Sequence, residues 1–371
     1  MANHKTTVFL VWNMFQYLHF KPLLQRLPNA TLVEVKRSGS DFVLKDYLHE
    51  ISNPVILVDY LEVHETIQDF ARIIIVQTIF EQIYKFTKAK VMMLQYGYAK
   101  EKHNYGDWRA LANLNLVYGE YTKHKISHLS PTKITGCPRF DRWYNSRFHY
   151  ESKLKYTRYI NKNNPTILYA PSWGDISSFD YYIDELSRLH SEYNILIKIH
   201  HNDLLTKDKE VYRQKYPHLF FFFEDTELLS LLSVTDVLLS DYSGAIFEGI
   251  YCYKPLLLLG LPESQIKNCG DIIGEKSLEL ARRDELGYIV NNASDLEDTI
   301  QKALAHGVVC SQDLYDLLFF TTHQATDEVI LAINEVLKGK WKRSVSHMWY
   351  FYKIRRRLRI IANKREKNRN R

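Results

Sequence analysis

The sequence predicts an α/β protein of two doubly wound parallel-sheet lobes. Short apolar runs rich in β-formers alternate with segments of helical period, and several of those runs end in polar loops. The alternation pauses at a polar, Asn- and Lys-rich stretch, Arg158–Pro165, and then begins again. Strand–helix alternation of this kind implies parallel strands with crossover helices on both faces. A length of 371 residues is enough for two such cores.

In the first lobe, residues 1–157, strands are expected at Thr6–Val11, Thr31–Val35, Pro54–Asp59, Arg72–Val76, Lys90–Leu94, Asn115–Val117 and Lys133–Thr135. Helices are expected at Phe15–Leu27 and Phe42–Ile51. In the second lobe, residues 158–337, strands are expected at Thr166–Ala170, Ile195–Ile199, Leu219–Phe223, Asp236–Leu239 and Pro255–Leu259. Helices there are Tyr181–Glu192, Glu227–Ser233 and Ala245–Tyr251, and Ser294 with Glu297 forms a capping box that opens a helix over Asp295–Ala305. Strand C-termini of open α/β sheets are where ligands bind, so a cleft between the lobes is the expected site.

Composition narrows the function. Hydrophobic residues at 46% and charged residues at 25% exclude wholesale disorder. Cys137, Cys252, Cys269 and Cys310 lie far apart, which points to reduced thiols in a cytoplasm and to no metal site. The start at Met1–Lys5 lacks a signal-peptide pattern, and no apolar run reaches the roughly 18 residues of a membrane span. The net charge of +6 conceals an asymmetry: residues 338–371 hold 14 Lys or Arg and one acid, Glu366, so the body carries −7. No nucleic-acid partner is expected for such a body.

The strongest constellation is the run from Thr235 to Gly249, where a buried strand ends in a polar loop and a helix follows. Amides at a helix start suit a diphosphate. Within the loop, Ser240 and Asp241 end the strand, Ser243 offers a hydroxyl, and Gly244 allows close approach. Glu248, one turn further on, is within reach of a ribose's two hydroxyls. Simple helix capping by Ser and Asp is the alternative, and it leaves the glycine unexplained. Two companions sit at other strand ends: Ser172 and Trp173 in Ala170–Asp175, and Lys198 with His200 in Lys198–Asp203. Lys198 can neutralise phosphate charge, and His200 can move a proton or serve only as a surface or core residue.

Together with Ile167–Trp173 and Thr135-Gly136-Cys137-Pro138-Arg139-Phe140-Asp141, these segments resemble the CDP-glycerol glycerophosphotransferases of teichoic acid synthesis. The resemblance spans about residues 90–260. It implies a GT-B fold of two Rossmann-like lobes, with the acceptor on the N-terminal lobe. A nucleotide-diphosphate donor would sit in the C-terminal lobe, contacted also by Gly136 and Arg139, and no metal or cofactor would be obligatory. The family's Trp-His-Gly segment, whose histidine acts as base, is matched by Leu94-Gln95-Tyr96-Gly97-Tyr98, with tyrosine in the histidine's place. His103, oriented by Asp107, is one replacement; an ordinary loop histidine is the other reading. Glu248 and Gly244 stand where the family has Asp and Ser.

The tail, residues 338–371, mixes aromatics and cations at near-helical spacing. Trp349 and Arg355, Arg356, Arg357 and Arg359 suit an anionic membrane interface; nucleic-acid binding and a solvated end are the alternatives. The combined expectation is a transferase peripheral at the cytoplasmic face of a bacterial membrane. It moves glycerol phosphate or a similar polyol phosphate from a CDP-activated donor to a lipid-linked or glycan (oligosaccharide) hydroxyl, for teichoic acid or capsule-like polymers. The alternative keeps the fold and makes it a glycosyltransferase using a UDP- or CMP-linked sugar.

Overall fold

The computed structural model describes residues 6–36, 42–203, 208–223, 226–268, 270–321 and 323–369. The chain divides into two compact units. One comprises Met1–Tyr96, Tyr105–Asp141 and Asp316–Arg371; the other comprises Gly97–Asn104 and Arg142–Tyr315. The break therefore falls at Arg142 rather than at residue 158. The helix Ser146–Tyr156 joins the second unit because Phe148, Ser152 and Tyr156 are buried and the Tyr156 hydroxyl bonds Ser230 Oγ at 2.8 Å. The C-terminal segment, expected to stand apart, belongs to the first unit.

The first unit holds a seven-stranded sheet: β1 (Thr7–Val11), β2 (Thr31–Lys36), β3 (Val55–Asp59), β4 (Ile73–Val76), β5 (Lys90–Leu94), β6 (Leu114–Val117) and β7 (Thr132–Ile134). Their order is β3-β2-β1-β4-β5-β6-β7, all parallel. The second unit holds β8 (Thr166–Ala170), β9 (Asn194–Lys198), β10 (Phe220–Phe222), β11 (Val237–Ser240), β12 (Leu256–Leu259) and β13 (Tyr288–Val290). Its order is β10-β9-β8-β11-β12-β13, again all parallel. Central strands such as β1, β4, β8, β11 and β12 are buried along their whole length, as Val-, Ile- and Leu-rich strands covered on both faces must be. The helix Phe179–Arg188 covers one face with Phe179, Tyr182, Ile183 and Leu186, the i, i+3, i+4, i+7 stripe of an amphipathic helix.

Two expected elements differ. Over Phe42–Ile51 only 3₁₀ turns form, at Lys45–Glu50. The buried Glu34 carboxylate accepts from the amides of Val43 and Leu44 and fixes the chain just before those turns. The expected capping box also fails to form. The helix begins at Leu296 with Asp295 at its cap, and Asp295 is occupied by Ser294 Oγ and Asn292 Nδ2, each at 3.1 Å. Cys137, Cys252 and Cys310 form no disulfide, and Cys269 lies outside the described residues.

The segment Thr135–Asp141 is a packing device of the first unit. Asp141 accepts from the amides of Ala325 and Thr326 at 2.9 and 2.7 Å, which anchors the start of the helix Ala325–Leu337. Gly136 has φ +73°, and a Cβ there would lie 2.8 Å from the Phe320 carbonyl oxygen and 3.1 Å from Ala325 Cβ. Arg139 is buried, with its guanidinium 5.3 Å from the Phe15 ring. These two residues, expected to touch the donor, are placed instead within the first unit's packing. Gly136→Ala is expected to lower stability by about 1–3 kcal/mol through left-handed strain and overpacking, seen as a lower Tm in thermal unfolding.

Candidate active site

In the second unit the strand order reverses between β8 and β11, the point at which sheets of this type bind ligands beyond their strand C-termini. The residues that follow these two strands are Pro171-Ser172-Trp173 and Asp241-Tyr242-Ser243. Ser240 Oγ donates to the Ala170 carbonyl at 2.8 Å and fastens one strand end to the other. Asp241, fully buried, accepts from Ser172 N at 2.8 Å, Ser178 N and Ser178 Oγ at 2.9 Å each, and Tyr242 N at 2.6 Å. Burial pushes its pKa up and the hydrogen bonds push it back. All four partners donate, so the carboxylate is held ionised. Asp241 and Ser240, both expected to contact the donor, are thus the frame of the site rather than its lining.

Ser243, which is buried, and Gly244, which is exposed, follow that frame. Ser243 Oγ accepts from Ala245 N at 3.3 Å. Gly244 is exposed with φ −60°, and a Cβ there would meet nothing within 4 Å, so the fold itself does not require glycine. The helix Ala245–Tyr251 has the expected seven residues, about two turns, so its dipole is small. Glu248 lies on its first turn and is nearly buried.

The β9 end completes the cluster. Lys198 is partly buried and donates through Nζ to the Ile199 carbonyl at 3.2 Å. His200 stacks on His201 at 4.3 Å and lies 6.2 Å from the Trp173 ring. Burial first, then the positive neighbours His201, Lys100 and Lys198, hold His200 well below the usual histidine range. The Asn202 amide donates to its Nδ1 at 3.1 Å. A neutral imidazole that accepts at Nδ1 carries its proton on Nε2, so His200 presents a donor and not a base.

Sequence reasoning missed three residues here. Lys100, at φ +59°, sends its ammonium to within 3.5 Å of Ser172 Oγ and 5.9 Å of the Trp173 ring. Its amide donates to Glu279 Oε1 at 2.6 Å. Arg283 donates to the carbonyls of Asp241 and Leu259 at 2.7 and 2.8 Å and lies over the Tyr242 ring, bracing the loop from behind. A sign of Lys100 was available, since it stands two residues after the segment Leu94–Tyr98; Glu279 and Arg283 lie past residue 260 and carry no motif.

The histidine candidates part company. His103 is exposed on the short helix Glu101–Asn104 of the second unit, and Asp107 is exposed at the start of the 3₁₀ segment Asp107–Leu111 of the first. Tyr96 packs on Phe15 at 4.8 Å, and on Phe15 also lies the ring of His19, at 4.4 Å. Burial and the Arg139 charge lower the His19 pKa to about 3, and its Nδ1 bonds the Phe15 carbonyl. His19 is therefore a core residue and no substitute for a base at Tyr96. Among the described residues no group of three His, Cys, Asp or Glu is placed to hold a metal ion.

The β8, β9 and β11 ends all lie inside the segment that known sequences recognise. Over residues 123–260 the chain matches the family of CDP-Glycerol:Poly(glycerophosphate) glycerophosphotransferases. The teichoic acid poly(glycerol phosphate) polymerase of Bacillus spizizenii is 29% identical over 165 residues, 40% of this chain and 40% of that protein. The teichoic acid poly(ribitol-phosphate) polymerase of the same organism is 32% identical over 133 residues, 33% of this chain and 21% of that one. Each match thus spans less than half of its relative. The solved wall teichoic acid polymerase TagF superposes with TM-score 0.64 at 14% identity, covering 91% of this chain and 90% of that one. The fold is accordingly of GT-B type, two parallel-sheet α/β lobes.

Proposed function

We propose that this chain is a transferase of cell-surface glycopolymer synthesis that moves glycerol phosphate or a related polyol phosphate from a CDP-activated donor to an acceptor hydroxyl. What supports the reading is that Ser172 and Ser243 follow β8 and β11, and Lys198 and His200 stand at the end of the adjacent β9, all inside the family-matched residues. In the proposed reaction the acceptor hydroxyl attacks the donor's β-phosphorus, a new P–O bond forms, and the bond to CMP breaks. Lys198, Ser243 Oγ and His200 Nε2–H stabilise the charge that develops on the phosphate oxygens. We assign the hydroxyl proton to His103, whose ring is exposed and bears no hydrogen bond or ion pair among the described residues. Because cationic side chains supply the charge, no metal is required, and chelation by EDTA should leave turnover unchanged.

Thermal shift against CMP, CDP, UMP, UDP and GDP tests the donor. Cytidine nucleotides alone should stabilise the protein, by about 2.7 kcal/mol at a hundredfold excess over Kd. Stabilisation by uridine nucleotides alone would sink the CDP assignment and favour a nucleotide-sugar donor. Phosphate in the isolated product separates the two chemistries independently.

The acceptor is proposed to be lipid-linked or glycan, at the inner face of the membrane. Among the described residues no helix is long and apolar enough to cross a bilayer. What supports peripheral contact is the outer face of the helix Val345–Arg369, where Trp349, Tyr352, Lys353, Arg356 and Ile360 recur at helical spacing and are exposed. Arg357 and Arg359 are exposed on the same helix, whereas Arg355 turns inward and donates to the Tyr84 carbonyl at 3.1 Å.

A further inference from the structure

The second unit contains a half-buried cation with few partners. Lys100 lies in the segment Gly97–Asn104, which packs with the second unit, and its ammonium has three protons to donate. One of them meets Ser172 Oγ at 3.5 Å, at the long limit of a hydrogen bond. Among the described residues no carboxylate closes an ion pair with it; Asp241 and Glu279 act on it only at longer range. Desolvation lowers its pKa, and the Asp241 and Glu279 charges oppose that shift only in part.

Its position is nevertheless enforced. The Lys100 backbone is left-handed, a conformation that a residue with a Cβ adopts only when its surroundings impose it. The surroundings are the Glu279 carboxylate, which accepts the Lys100 amide, and Ser277 Oγ, which accepts the Glu101 amide at 3.1 Å. Glu279 is fully buried, and its second oxygen, Oε2, has no hydrogen-bond partner. A buried carboxylate with an orphan oxygen thus holds the backbone of a residue whose half-buried ammonium lies beside the hydroxyl of Ser172.

We propose that Lys100 is the principal diphosphate-gripping residue of the second unit, and that Glu279 is the counter-charge that holds it while the site is empty. The proposal rests on the donor reading above and adds the residue that reads the diphosphate. On binding, phosphate oxygens take the free N–H donors of Lys100, and its field no longer falls on Glu279. The charged groups acting on Glu279 are then Glu101 and Arg283, with His200, just past β9, acting on Lys100. The Glu279 pKa is already raised to about 7, chiefly by burial, while Lys100 holds it down. Loss of that restraint raises it further, so binding near pH 7 draws a proton onto Glu279.

Titration calorimetry with CDP, cytidine and inorganic pyrophosphate, on wild type, Lys100→Ala, Lys100→Arg and Glu279→Gln, tests this. Lys100→Ala should weaken CDP and pyrophosphate about ten- to hundredfold, the loss of one charge-assisted hydrogen bond. Cytidine affinity should not change, and Lys100→Arg should recover most of the loss. Repeating CDP titrations in two buffers of different ionisation enthalpy should show proton uptake by wild type that is smaller in Glu279→Gln. Equal CDP and pyrophosphate affinity in wild type and a folded Lys100→Ala would overturn the proposal while leaving the donor reading intact. If wild type binds pyrophosphate but no cytidine nucleotide, the donor reading falls, and the pyrophosphate loss in Lys100→Ala still decides the role of Lys100. Binding of neither probe to wild type overturns both.

Discussion

Asp241→Ala is expected to remove about 3–5 kcal/mol from the stability of the second unit, a large share of a typical domain's total. The carboxylate is fully buried and satisfies three backbone amides and one hydroxyl drawn from two loops: Ser172, Ser178 and Tyr242. Alanine leaves all four donors in a place water reaches poorly, and an unsatisfied buried donor costs about 1–3 kcal/mol. The sum falls short of simple addition because the vacated volume admits solvent. Asp241→Asn should rescue little, since its amide offers one acceptor oxygen and turns an NH2 toward groups that also donate. Urea unfolding followed by near-UV circular dichroism would measure both variants. An Asp241→Asn protein as stable as wild type would show that the four bonds are not what joins the β8 and β11 ends. A protein that stays folded but loses nucleotide binding would place Asp241 back on the ligand.

That expectation reverses the role first read for Asp241, and the reason lies in what periodicity encodes. Buried parallel strands announce themselves as apolar runs, so β1, β4, β5, β8 and β12 were legible nearly to the residue. The polar ends of β8, β9 and β11 were legible too, which is why Ser172, Lys198, His200 and Ser243 were singled out together. Which way each side chain turns was not. Asp241 and Ser243 are two residues apart, yet Asp241 ties together the amides of Ser172, Ser178 and Tyr242 while Ser243 Oγ accepts from the Ala245 amide at the start of the next helix. Lys100 and Glu279 are 179 positions apart in the chain, and their meeting depends on a left-handed residue and a four-residue helix, Leu278–Ala281, with no pattern to predict either. His200 shows the same limit on a smaller scale. Its place beside the phosphate-binding candidates was readable, but its tautomer depends on one backbone amide, that of Asn202.

Deleting residues 345–371 is expected to destabilise the first unit, not merely to detach a membrane anchor. From sequence, the tail looked separable because its aromatics, aliphatics and cations recur around the whole helix. The helix Val345–Arg369 is in fact apolar on two stripes. One, Phe351, Ile354 and Leu358, packs on the first unit's core, with Ile354 only 4% exposed. Flanking bonds fix it: Arg343 to the carbonyls of Leu111 and Ala112 at 3.0 and 2.8 Å, His347 to Ser127 at 2.9 Å, and Arg355 to Tyr84. Deletion strips the cover from that apolar surface, and Ile354→Asp, which buries an unpaired charge, should by itself cost about 3–5 kcal/mol. The other stripe, with Trp349 and Tyr352 each 58% exposed, has no such duty. Arg356→Glu with Arg357→Glu should therefore leave the Tm unchanged while lowering flotation with anionic vesicles, and zwitterionic vesicles should show no difference. If the double variant floats like wild type, the outer stripe is not a membrane contact. If the deletion leaves the first unit's Tm unchanged, the inner stripe is not part of its core. The two halves of one helix are thus separable by experiment, although no periodicity in the sequence separates them.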